Sequence, residues 1–224
     1  MDTTAPPKPV KPKIGLNVLS CLFLIMLGLL AAALLAAFVV AKSGLLHVPI
    51  FSSYYVAPEP VRLLQAKPVT WDDFQVLLAR RIYAQRSVAG GFYTIHVTEQ
   101  ELTGLLRGVT AEALRDPSWE VNLDQIAVTP DYLEVFLKLK WQNILNFDLL
   151  FKLKPKVDEN GAIGFDVLEA RLGDFAMPTS LIYPLVGNVF GRDLGEWQLK
   201  IGGANAIKSV SLLDRGLNII INKQ

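Results

Sequence analysis

The feature that most constrains this chain is a run without charge. From Ile14 to Ala41, 28 positions carry no Asp, Glu, Lys, Arg or His. About 20 apolar residues are enough to cross a bilayer as a helix. The densest part, Leu22–Val40, is Leu, Ala, Val, Ile, Phe and Met with one Gly. A secretory signal has a shorter apolar region, roughly 7–15 residues, and ends at a small-residue cleavage site. The length therefore predicts an uncleaved transmembrane anchor over 14–41. The preceding tail, 1–13, holds Lys8, Lys11 and Lys13 against Asp2, whereas only Lys42 closely follows the run. Basic excess on the short N-terminal side predicts that this end is cytoplasmic and that most of the chain lies outside the cell membrane.

Residues 42–69 contain Pro49, Pro58, Pro60 and Pro68 with little apolar periodicity, which predicts a stiff juxtamembrane linker. Residues 70–224 then make one domain of ordinary size. The tail accounts for three Lys and one Asp of the 22 basic and 21 acidic residues, leaving 19 and 20. That balance offers no footprint for nucleic acid. The one cysteine, Cys21, lies in the apolar run, so the outer domain forms no disulfide and relies on its core.

Periodicity organises the domain. Thr70 caps a helix whose first turn has Asp72 and Asp73 and whose stripe is Phe74, Leu77, Leu78 and Ile82. Phe92–Val97 alternates as a strand. Thr98 and Glu101 form a capping box ahead of a helix striped by Leu102, Leu105, Leu106, Val109 and Ala113. Strands follow. Trp119, Val121 and Leu123 share one parity, whereas Ile126 and Val128 take the other, the mark of a β-bulge. Ile163–Leu172 switches parity in the same way. Two such switches predict a strongly curved sheet. Leu181, Ile182, Leu185, Val186, Val189 and Phe190 stripe a last helix that starts at Pro178 and is kinked at Pro184. A closing hairpin spans about 206–222. The predicted class is α+β: an N-terminal transmembrane helix, then a curved, bulged antiparallel sheet packed on amphipathic helices.

The sharpest expectation concerns YLEVFLKLKWQNILNFDLLFKLKPKV, residues 132–157. A three-residue loop, Gln142–Ile144, sets Leu139 against Phe147, Leu137 against Leu149, Val135 against Phe151 and Leu133 against Leu153. The opposite face then sets Lys138 against Asp148 and Glu134 against Lys152. A one-residue slip would wet every apolar side chain. On this reading the lysine face is the solvated back of the sheet, and the apolar front does the work.

Little points to chemistry. His47 and His96 are the only histidines, and HxxxH, HxH, CxxC, GxSxG, Walker and GxGxxG patterns are all absent. The sequence therefore predicts no enzyme, no cofactor and no metal. Gly187 and Gly191 form a GxxxG read as a packing contact.

The stretches FYTIHVTEQELTGLLRG and FDLLFKLKPKVDENGAIGFDVLEARLGDFAMP, with the anchor before them, resemble the YpmS-like family of single-pass, extracytoplasmic bacterial proteins. Thr103 departs from that pattern, in which Asn follows the Glu-Leu pair. The resemblance implies a likeness to tubular lipid-binding domains, in which a bulged sheet wraps a helix and holds a lipid. Two functions are then expected. One is binding of lipid or another hydrophobic ligand between sheet and helices, through Leu102, Leu105, Leu106, Leu149, Phe151, Leu181, Leu185 and Phe190. The other is a non-catalytic structural or interaction role in the envelope, with a solid core and a protein partner of unknown identity. The membrane itself is the expected partner of the anchor in both.

Overall fold

A computed structural model of the chain describes residues 14–46, 55–84, 91–158, 161, 163–178 and 207–222. Compact units divide at Val39/Val40. The first holds most of helix α1 (Ile14–Ser43). Within α1, the 24 residues Ser20–Ser43 are long and apolar enough to cross a membrane, a test that an N-terminal signal sequence also meets.

The second unit is α+β. Its elements after α1 are α2 (Trp71–Ala84), β1 (Phe92–Thr98), α3 (Glu99–Ala113), β2 (Trp119–Val128), β3 (Leu133–Trp141), β4 (Leu145–Val157), β5 (Ile163–Leu172), β6 (Phe175–Ala176), β7 (Ile207–Leu213) and β8 (Gly216–Asn222). Both expected N-caps form. Thr70 Oγ1 accepts the Asp73 N–H at 3.1 Å. Thr98 Oγ1 accepts the Glu101 N–H while Glu101 reaches back to the Thr98 N–H, closing the capping box. Together they satisfy N–H groups that a helix start leaves unpaired.

Among the described residues every strand pair is antiparallel, in two sheets. Five strands run β2-β3-β4-β5-β6, and three run β1-β8-β7. The alternation of the strands predicts one antiparallel sheet. The closing hairpin instead pairs with β1, Ile95 opposite Ile219, because strand partners are chosen by the chain's long-range path rather than by local alternation.

The β3–β4 register is the expected one. Leu139 faces Phe147, Leu137 faces Leu149, Val135 faces Phe151 and Leu133 faces Leu153. Both parity switches are bulges, but the one in β2 falls earlier than expected: pairing skips Asn122, which sets Leu123 opposite Lys138 on the other face, while in β5 it skips Leu168, and a third skip falls at Lys208 in β7. Leu168 is left exposed, as an unpaired extra residue often is.

One apolar core joins these elements. It contains Phe74 and Leu78 of α2, Leu105 and Leu106 of α3, the odd-numbered leucines of β3, and Leu149, Phe151 and Leu153 of β4. From the second sheet it takes Ile95, Val97, Ile207, Leu217, Ile219 and Ile221.

Candidate functional site

The residues expected to line a hydrophobic groove come together. Leu105, Leu106, Leu149 and Phe151 are buried members of the core, and Leu102 packs against it half-buried. Leu181, Leu185 and Phe190, with the whole helix expected over 178–190, lie outside the described residues. Around the buried centre sits a half-buried apolar rim: Val135 and Phe147 of the hairpin, Phe165 and Val167 of β5, Met177, and Val210 and Leu212 of β7. Trp119 meets Phe147 at the rim, ring centroids 5.5 Å apart.

The opposite face overturns an expectation. Lys138, Lys154 and Lys156 are exposed on it, but its centre is closed to water. Gln125 is 0%, Glu134 2% and Asp148 6% exposed, and Phe136 and Leu150, paired across the strands, are buried beside them. Their cover is the segment 55–69, expected as a linker. Tyr55 donates its hydroxyl to Asp148 Oδ2 of β4 at 2.5 Å. The Val61 N–H donates to Glu134 Oε1 of β3 at 2.8 Å. The Gln125 amide of β2 accepts the Leu64 N–H at 3.1 Å and donates to the Arg62 carbonyl. Three adjacent strands thus each hold one point of a strap by a buried polar side chain. A buried polar group without a partner is costly, so these pairings fix the strap's course.

The strap then meets α3. Arg107 donates to the Leu64 and Ala66 carbonyls and pairs with Asp124 at 3.1 Å. The Val69 N–H donates to the Gly104 carbonyl at 2.8 Å. A Cβ on Gly104 would stand 2.7 Å from the Lys67 carbonyl, and one on Gly108 2.0 Å from that of Val69. The spacing Gly104-Leu-Leu-Arg-Gly108 was the legible signal for this contact. Two glycines inside a helix each cost up to about 1 kcal/mol against Ala and call for a close approach in return.

Arg62 lies at the crossing of strap, α3 and the β7–β8 turn. It is 3.4 Å from Glu99, donates to the Val128 carbonyl at 2.8 Å and reaches Asp214 at 3.3 Å. Glu99 also accepts the Val128 N–H. Nearby, the Thr103 hydroxyl accepts the Ile126 N–H and donates to the Ile126 carbonyl. Arg107 takes the Asp124 carbonyl, and the Arg215 N–H takes that of Val128. Side chains of α3, with Arg62 and the Arg215 N–H, thereby occupy ladder groups along Asp124–Val128 of β2, an edge strand otherwise open to pairing with another chain. Thr103, where the family resemblance departs, is one of these occupants.

Lys138 faces Asp148 and Lys152 faces Glu134 across the strands, as expected, while the ion pairs form with β5. Lys152 pairs with Glu169 at 2.7 Å and lies over the Tyr132 ring, and Lys156 pairs with Asp166. The Glu169 hydrogen bond holds the Lys152 ammonium above its ordinary value, with Glu134 adding a smaller attraction. Burial, then the hydrogen bond to Asp148, pushes the Tyr55 phenol up, so it stays a neutral donor. One Asp148 oxygen, Oδ1, is buried without a protein partner.

The last turn of α1 belongs to the same assembly. Ala41 and Ser43 are buried, Lys42 pairs with Asp174 at 3.2 Å, and the Asn146 N–H donates to the Leu45 carbonyl. His96 holds Asn218 at 3.0 Å on an exposed surface, and His47 lies outside the described residues. Among the described residues no group of three His, Cys, Asp or Glu side chains is arranged to hold a metal ion.

No protein-family model, curated protein or solved structure matches this chain.

Proposed function

We propose that this is a single-pass membrane protein with a cytoplasmic N-terminus, whose outer α+β domain serves a non-catalytic structural or interaction role in the cell envelope. The observation that carries this reading is the state of the apolar front. Leu105, Leu106, Leu149 and Phe151 face other parts of the domain and are buried by them, so they act as a core. The fate of the α1 end supports an uncleaved anchor. Removal of Ala41 and Ser43 would open two buried positions and free Asp174 from Lys42.

A second reading, binding of a lipid or another hydrophobic ligand, is favoured by the half-buried rim of Phe147, Phe165, Val167, Met177 and Val210. Apolar ligands take concave sites with few polar groups, and this rim is of that composition. It also agrees with the YpmS-like resemblance, a likeness of fold that bears on function only by analogy.

One experiment separates the two. The full-length chain is purified from its native membranes in mild detergent and measured by native mass spectrometry. A protein retained in fixed ratio, without bound acyl species, supports the structural role. A lipid that survives detergent exchange overturns it in favour of the ligand reading.

A further inference from the structure

One end of the β3–β4 hairpin carries, beside exposed Gln142 and Asn143, an exposed isoleucine that neither sheet face explains. The turn puts Gln142 and Asn143 at φ of 48° and 59°, and Ile144, which follows them, is 60% exposed. A lone exposed isoleucine is ordinary. This one has company. The second residue of β4, Asn146, donates its N–H to the Leu45 carbonyl at 3.3 Å, and the next residue, Leu46, is 41% exposed. Leu45 is two residues beyond Ser43, the last residue of α1. At about 3.5 Å per residue, no more than about 7 Å of chain separates them. The hairpin tip is therefore held close to the end of a helix long and apolar enough to span a bilayer.

Charge points the same way. Lys140 pairs across the strands with Asn146, and Lys138 with Asp148, so both lysines lie toward this end of the hairpin. Lys138 is exposed and Lys140 half-buried. Apolar side chains flanked by basic ones suit the boundary between acyl chains and head groups, where the first lose water and the second meet phosphate. We propose that the β3–β4 tip, Ile144 with Leu46, enters the outer boundary of the bilayer spanned by α1, with Lys138 and Lys140 against lipid phosphates. The proposal rests on α1 being an uncleaved anchor.

The test uses the full-length chain with Cys21→Ser and Ile144→Cys, labelled with an environment-sensitive fluorophore, in phosphatidylcholine nanodiscs carrying a nitroxide at a shallow acyl position. Asp131→Cys, exposed in the β2–β3 turn at the other end of β3, is the matched control. The expected result is a blue-shifted label at 144, quenched several-fold more than the one at 131. Adding phosphatidylglycerol should deepen quenching at 144, and Lys138→Glu with Lys140→Glu should remove that increment. Equal quenching at the two positions overturns the proposal. So does release of the chain from vesicles by alkaline carbonate, which removes the anchor as well. Retention in carbonate with an unquenched label at 144 overturns the tip contact and leaves the anchor standing.

Discussion

The two faces of the five-stranded sheet are built on different physics. The front is apolar, and any side chain of similar size and oiliness would serve at most of its positions. The back is a set of particular pairs: Tyr55 with Asp148, Val61 with Glu134, Leu64 and Arg62 with Gln125. Each pair joins residues more than 60 positions apart in the chain. The front follows from alternation within one strand. The back follows from where a distant segment happens to cross. Nonspecific burial drives collapse, whereas buried hydrogen bonds select one course for the strap among many.

The comparison breaks most visibly at the front. Leu137→Ala should lower the stability of the whole domain by about 3 kcal/mol, through lost transfer energy and the cavity left behind. A denaturant midpoint that falls with an unchanged slope would confirm a global effect. On the back, Gln125→Leu keeps the volume but leaves the Leu64 N–H and the Arg62 carbonyl unpaired, at about 2 kcal/mol. Hydrogen exchange should then quicken first at Val61 and Leu64, with β3 and β4 still protected. Uniform exchange across the domain would show that the strap and the core unfold as one.

Gly108→Ala tests the seat of the strap on α3. Helix propensity alone would stabilise the helix by nearly 1 kcal/mol. A Cβ at 2.0 Å from the Val69 carbonyl should reverse that sign and destabilise by about 1–2 kcal/mol net. A gain in melting temperature would mean that the strap moves aside freely.

The smallest effect concerns acid. Burial raises the Glu101 carboxyl, but hydrogen bonds from Arg81 and from the Thr98 N–H outweigh it, and the group sits below its ordinary value of 4.5. Its contribution is therefore present above about pH 4.5 and is lost as pH falls through the lowered value. Glu101→Gln should cost about 1 kcal/mol at neutral pH and flatten the acid limb of the stability profile. An acid limb unchanged by this substitution would place the titration elsewhere, with Glu169, which its bond to Lys152 also holds low, as the next group to replace.

Much of the fold was legible from residues alone. Both caps, the bulges in β2 and β5 and the β3–β4 register depend on neighbours a few positions apart, or on one short loop, so local chemistry specifies them. The grouping of Leu102, Leu105, Leu106, Leu149 and Phe151 followed from periodicity too, but alternation says only that a side chain avoids water. It does not say whether protein or ligand covers it. The pairing of β8 with β1, and the division into two sheets, escaped for a related reason: alternating strands look alike, and loop length does not name a partner.

The back of the sheet escaped most completely. Glu134 and Asp148 read as surface charges because a buried carboxylate is recognised only by its partner, and Val61 and Tyr55 lie in a segment with no periodicity of its own. By itself the sequence determined the apolar helix, the elements, their caps and the faces that must leave water, since each is a short-range balance of sterics, capping and hydrophobic alternation. The tertiary structure alone decided what meets those faces. It set α3 and the second sheet on one, with α2 against α3 and β1, and a strap on the other, because contacts between distant segments depend on the whole path of the chain.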